Sequence, residues 1–230
     1  MKINIVGKNP EKINCLKEIL YKKNIEYSEE NPDIIIAYGG DGTFLIAERR
    51  FPGIPKILLR DSETCQLCCN LDIKEAIDLF EKGKYEIQKI KKLKAICEDG
   101  ETRELIGVND IVIRNNLPTE AIRFKLKINE KDFGEFIGDG IVISTPYGSK
   151  AYFSSITRKD FEKGIGIAFN NITKHKECLI RNHDDKIEIE ITRGPGILVA
   201  DNNRDFVDLE KGSKIIITGI QDVAKKIILK

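Results

Sequence analysis

The sequence has no run near the roughly 18 consecutive apolar residues that a membrane-spanning helix needs, so no span is expected. It also lacks an excess of either charge: 38 Lys and Arg face 37 Asp and Glu, leaving a formal charge of +1. A global field of the kind that gathers nucleic acid or an anionic membrane surface is therefore absent. The opening MKINIVGKNP reads as a strand entering a turn, with no extended apolar signal segment, and the expected compartment is the cytoplasm. Histidine is scarce, with only His175 and His183, both far from the C-x-x-C-C cluster of Cys65, Cys68 and Cys69. Tetrahedral zinc asks for four ligands, usually in two spaced pairs, and no second pair exists. No metal ligands are assigned, and the six cysteines are expected to be reduced thiols. Both standard phosphate loops, G-x-x-x-x-G-K-[ST] and G-x-G-x-x-G, are missing too. There is no internal repeat, no low-complexity segment and no Pro- or Ser-rich linker.

What is present is a 230-residue chain, 41% apolar and 33% charged, long enough for one large or two small domains. Its first third alternates two signals. KINIV (2–6), DIIIA (33–37) and PKILL (55–59) are apolar strands of the kind buried on both faces of a parallel sheet. Between and after them, residues 9–23, 43–50 and 74–83 carry helical signals, the first behind Asn9 and Pro10, the last closed by Gly83. This β-α-β order implies an open parallel sheet with helices on its faces. From about residue 86 the texture becomes alternating and β-branched, broken by Gly, Asn and Asp, as in IRFKLKINEKDFGEFIGDGIVIST. The expected organisation is an α/β domain over 1–85, a mostly antiparallel β domain over 86–212, and a closing segment at 213–230 that returns to the first domain. The basic run KIKKLK at 89–94 reads as a solvated strand face.

Directly behind DIIIA stands YGGDGTFL. Strand ends of open parallel sheets are where ligands bind. Gly39, Gly40 and Gly42 free the backbone to turn its N–H groups toward an anion, and the helix that follows contributes roughly half a positive charge at its N-terminus. Those features favour phosphate, yet Asp41 repels it. A helix N-cap, a ligand to Mg²⁺ and a base for an attacking hydroxyl are three ways to account for the carboxylate. Two further clusters stand out: VNDIVI at 108–113, with an Asn-Asp pair heading a strand, and GDGIVISTPYGSKAYFSSI at 138–156. The latter sets Asp139 before a hydroxyl-rich turn suited to a ribose and a ring.

The three clusters, in this order, resemble the NAD kinase family, whose motifs are GGDGT, an Asn-Glu pair and D-G-x-x-x-S-T-P-T-G-S-T-A-Y. The resemblance implies a small α/β domain followed by a β domain. It also implies Mg²⁺-dependent transfer of a phosphoryl group from ATP or polyphosphate to the adenosine-ribose 2′-hydroxyl of NAD, in a homodimer or homotetramer. By position, Asp41 becomes the base for that hydroxyl, with Gly39, Gly40, Gly42 and Thr43 around the phosphates. Asn109 and Asp110 meet the adenosine half and Asp139 the nicotinamide end, while Tyr147, Lys150, Ala151, Tyr152 and Ser155 line the NAD groove. The chain departs from the family pattern at Asp110, usually Glu, at Lys150, usually Thr, at 59–70, where a glycine-rich segment is replaced, at 171–175, where only Ile172 and His175 of P-I-x-P-H are kept, and at Asn202 after Asp201. These departures leave two alternatives: a kinase of the same superfamily acting on a sugar, nucleoside or lipid hydroxyl, and a non-catalytic nucleotide-binding module.

Overall fold

The apolar runs of the first third become a parallel sheet. The computed structural model describes residues 1–61, 68–69, 71–99, 101–174 and 176–230. In chain order the elements are β1 (Lys2–Gly7), α1 (Pro10–Lys22), β2 (Glu26–Tyr27), β3 (Ile34–Gly39), α2 (Asp41–Arg50), β4 (Lys56–Arg60), α3 (Ile73–Glu81), β5 (Tyr85–Asp99), β6 (Glu101–Gly107), β7 (Asp110–Asn115), β8 (Ile122–Ile128), β9 (Lys131–Gly138) and β10 (Gly140–Ser144). A 3₁₀ turn (Gly148–Lys150) leads into α4 (Tyr152–Thr157). After it come β11 (Ile165–Asn170), β12 (Leu179–Arg181), β13 (Ile187–Arg193), β14 (Gly196–Ala200), β15 (Val207–Leu209) and β16 (Lys214–Leu229). The chain divides into two compact units, residues 1–90 with 223–230, and residues 91–222.

In the first unit, β2, β1, β3 and β4 lie side by side and parallel, and the last part of β16 adds a further parallel strand, with Lys226 opposite Lys56 and Ile227 opposite Ile57. One face of the sheet packs Ile3, Ile5, Ile34, Ile36, Ile57, Leu59 and Ile227 with side chains of α1 and α3. The first helix starts as the sequence suggests, whereas α3 begins at Ile73, one residue before the expected 74. Asn9 Oδ1 accepts from Glu11 N at 2.9 Å with Pro10 in the first helical position, and Asp72 caps α3 through Glu75 N at 2.9 Å. Against β1, β3 and β4 lies α2, whose Phe44 and Ala47 are fully buried. Lys56 shares the buried space with Glu48 of α2. Its ammonium pairs with that carboxylate and donates to the Phe51 and Ile54 carbonyls at 2.7 Å, while Gly53 N donates to Glu48 Oε1 at 2.9 Å. Satisfying both partners is what makes such an ion pair tolerable without water.

The second unit is built of antiparallel strands. One sheet runs β9-β8-β13 and continues to the first part of β16; the other runs β12-β11-β10-β7-β14-β15. Inward residues of both, among them Ile111, Ile113, Phe124, Leu126, Ile141, Ile143, Ile189 and Ile215, form one buried core, as facing sheets do. Val108 and Asn109 separate β6 from β7. In β11 burial on both faces leaves no polar alternation to read, and Gly164 and Gly166 blur its start. The KIKKLK run lies in β5 and is not a uniformly solvated face, since Lys92 is buried and Lys94 pairs with Glu104 at 2.7 Å. The reduced-thiol expectation also needs correction. Cys68 is disulfide-bonded, whereas Cys15, Cys69, Cys97 and Cys178 are in no disulfide; Cys65 lies outside the described residues. No helix among the described residues is long and apolar enough to cross a membrane.

Candidate functional site

In the first unit the GGDGT residues occupy the bend from β3 into α2. The cap of the helix is Gly40 (φ −112°, ψ −172°), and Asp41 is the first helical residue. This corrects one reading of the sequence: Asp41 is not the N-cap, and the helix begins two residues before the expected 43. The carboxylate stands at a position where a helix terminus directs N–H groups outward. The bend is tight. A Cβ on Gly39 would lie 2.2 Å from Thr43 Oγ1, Thr43 N donates to Gly40 O at 2.8 Å, and Asp61 N holds the Gly39 carbonyl at 3.0 Å. Thr43 is buried, whereas Gly39, Gly40, Asp41 and Gly42 keep part of their surface open. Cys68 Sγ lies 3.3 Å from the Gly39 carbonyl; an oxidised sulfur has no proton to donate, so this is a packing contact.

Sequence reasoning missed a second charged group here. Lys226 sits beside Lys56 in the register of parallel strands, where partners share a face, and so lies on the side covered by α2. It is only 6% exposed. Burial pushes its ammonium below the usual lysine range, opposed by the fields of Asp41 and of Cys69. The available signal was a lysine at an inward position directly before the apolar run Ile227–Leu229.

In the second unit the Asn-Asp pair heads β7 and is held from two sides. Thr145 N donates to Asn109 O at 2.8 Å, Thr145 Oγ1 to Val108 O at 2.7 Å, and Gly148 N to Thr145 Oγ1 at 3.1 Å. A Cβ on Gly148 would meet Asn109 O at 2.3 Å, which explains the glycine of the P-Y-G-S turn. From the other side comes Asp201, which the motifs do not include. Its carboxylate accepts from the N–H groups of Val108, Asn109 and Asp110 at 2.7–3.2 Å. Asp110 is 6% exposed, and burial first, then the Asp201 charge, raise its carboxyl to about 7. Asn109 Oδ1 is buried with no hydrogen-bond partner among the described residues, an acceptor awaiting a donor.

The remaining sequence-derived residues are more dispersed. Asp139 is at the far end of the β7–β10 pair, about 16 Å along the strand from the level of Asp110 at ordinary strand rise. There Asn171 Nδ2 donates to Asp139 Oδ2 and the adjacent Asn170 Nδ2 to Tyr152 OH, each at 3.1 Å. Those two bonds tie Tyr152 and Asp139 to neighbouring residues. Tyr147 is partly buried, Ala151 is exposed, Ser155 donates to the Tyr152 carbonyl at 2.7 Å, and Lys150 is exposed 4.0 Å from Asp160. His175 lies outside the described residues. No group of three or more His, Cys, Asp or Glu among the described residues is arranged to hold a metal.

Comparison with known proteins bears on the same residues. The family model "ATP-NAD kinase C-terminal domain" matches residues 108–227, just over half of the chain and the whole stretch from the Asn-Asp turn to Ile227. The NAD kinase of Sulfurisphaera tokodaii is 36% identical over 207 residues, covering 83% of this chain and 78% of that protein. The NAD kinase of Lactobacillus acidophilus is 32% identical over 171 residues, or 68% of this chain; the match spans 62% of that relative's length. A yeast NADH kinase solved with NADH superposes with a TM-score of 0.88 over 100% of this chain and 84% of its own, at 16% identity, which speaks for the fold. The mixed α/β and antiparallel architecture, the family model and the Sulfurisphaera relative lead to one assignment: the chain belongs to the NAD kinase family.

Proposed function

We propose that the chain is a kinase that phosphorylates the 2′-hydroxyl of the adenosine ribose of NAD, with ATP or polyphosphate as donor, yielding NADP. One observation carries the reading: Asp41 stands in the first turn of α2, on a glycine bend suited to phosphate, and is not used as the helix cap. A carboxylate there works against anion binding unless it handles the acceptor hydroxyl or a cation. In the reaction the 2′-oxygen forms a bond to the γ-phosphorus, the bond to the β-phosphate oxygen breaks, and the hydroxyl proton passes to Asp41 as ADP leaves. Gly39, Gly40, Gly42 and Thr43 surround the phosphates. Asn109 takes a donor from the adenosine half, with Asp110 beside it, and Asp139 faces the nicotinamide end. Tyr147, Lys150, Ala151, Tyr152 and Ser155 line the groove for NAD. The ATP in the name of the matching family model and the NADH held by the yeast structure support these ligand classes.

Mg²⁺ fits the residues present. The ion keeps several waters and takes one or two carboxylates plus substrate phosphates, and a single aspartate at a phosphate bend matches that habit better than a caged site. When bound, it neutralises charge on the phosphoryl group. The chain's own task is alignment, which dominates transfer through a loose transition state. A cytoplasmic homodimer or homotetramer completes the reading.

The test is NADP formation from NAD with ATP or polyphosphate and Mg²⁺, in the wild type and in Asp41→Asn. Loss of the base is expected to lower kcat by about 10²–10⁴-fold with the melting temperature unchanged. Near-normal turnover in the variant would remove Asp41 from the mechanism, and an inactive wild type would remove NAD as acceptor.

A further inference from the structure

A turn built only to connect two strands has no need of a second, partly buried carboxylate beside a buried one, because repulsion and desolvation both work against folding. The chain nevertheless brings Asp201, at the end of β14, to Asp110, at the start of β7. The contact is reciprocal and specific. The Asp201 carboxylate takes the N–H groups of Val108 at 3.0 and 2.9 Å, of Asn109 at 2.7 Å and of Asp110 at 3.2 Å, and Asp201 N donates to the Asp110 carbonyl at 2.9 Å. Asp201 holds this pose in the left-handed region, φ 52°, which Asp and Asn tolerate better than other side chains. Three successive N–H groups on one carboxylate leave the turn few alternatives, since charge-assisted bonds are about twice as strong as neutral ones. On the opposite side Ser144 and Thr145 hold the carbonyls of Asn109 and Val108. With its backbone clamped on both sides, the turn keeps one unanswered polar atom, the buried Asn109 Oδ1.

We propose that Asp201 is a positioning residue for the acceptor nucleotide: by gathering the N–H groups of residues 108–110 it sets the directions in which the Asn109 amide and the Asp110 carboxyl meet the adenosine half of NAD. This rests on the NAD kinase reading above. It extends that reading to a residue whose charge acts through two others. Among the described residues, the charge that acts on Asp110 is that of Asp201, and the Ser144 and Thr145 hydroxyls bonded to the turn do not titrate near neutrality. A change in charge at 201 is therefore reported by Asp110.

The experiment is steady-state kinetics of the full chain carrying Asp201→Asn, which keeps the tolerance for the left-handed backbone and one acceptor oxygen but removes the charge. KM for NAD is expected to rise about tenfold with kcat within about threefold, the pattern of lost binding. The acid limb of kcat/KM for NAD should move to lower pH, because Asp110 loses a negative neighbour. In an Asp110→Asn background the same substitution should move no limb. An unchanged KM, or a fall in kcat with the limb unmoved, would overturn the proposal. If Asp201→Asn does not fold, Asp201→Ser, which retains an acceptor for one N–H, is held to the same outcomes. Wild-type turnover of NAD separates the two levels: its absence refutes the parent reading, whereas an active wild type with an indifferent variant refutes only the role of Asp201.

Discussion

Asp110 shows how much a single buried carboxyl costs. Its folded-state value, near 7, lies above the ordinary 3.8. Well below the ordinary 3.8 both folded and unfolded chains hold the proton and nothing is lost. As pH rises from there through 7, the unfolded chain ionises first and the folded state is progressively penalised. Removing the charge should therefore stabilise the protein where it matters most. Asp110→Asn is expected to gain up to about 4 kcal/mol at pH 8, the equivalent of three pH units, and little at pH 4. Urea unfolding at the two pH values checks this, and an equal loss of stability at both would contradict it. A residue that destabilises the fold at working pH is a candidate for function, and Asp110 meets that description. Its presence in VNDIVI was legible in the chain. Its burial and its charged neighbour were not, since Asp201 is 91 residues away.

At the scale of elements, the β3-to-α2 bend is set by contacts over four residues. Gly39 is required by closeness to Thr43, not by a positive φ, because the Cβ that any other residue carries would meet Thr43 Oγ1 at 2.2 Å. Gly39→Ala must rotate Thr43 or shift α2, and a shift of α2 carries Asp41, the proposed base, with it. A displacement of about 1 Å is enough to lower turnover on the order of 100-fold. The expected result is that loss of NADP formation with a near-wild-type circular dichroism spectrum; full activity would show that the bend is looser than its contacts. The sequence signalled this element well, because strand, glycines and helix are adjacent and local rules govern them. The helix start was the exception. Asp41 reads as a plausible cap in one dimension, and only the backbone geometry assigns that place to Gly40.

On the scale of the whole molecule, the decisive feature is that β16 contributes to both units. Its first residues pair with β13, and Lys226 and Ile227 pair with β4. Ile227 is 4% exposed within the apolar cluster of the parallel sheet, so Ile227→Ala is expected to cost about 2–5 kcal/mol. Thermal unfolding measures it, and a cost within error of zero would mean that the strand adds little to that core. The same strand places Lys226 on the face of the sheet that carries Asp41; the inward lysine is legible in the sequence, its distant neighbour is not.

The residues alone determined the parallel α/β start, the β-rich remainder, the three motifs and the family they resemble, because hydrophobic period, glycine placement and helix capping act over a few positions. Tertiary structure decided which distant groups share an environment: Asp201 with the Asn-Asp turn, Lys226 with Asp41, and Asp139 at the opposite end of the β7–β10 pair from Asp110. Burial and electrostatic coupling depend on distances in space, and strand pairing between residues far apart in the chain is what sets them.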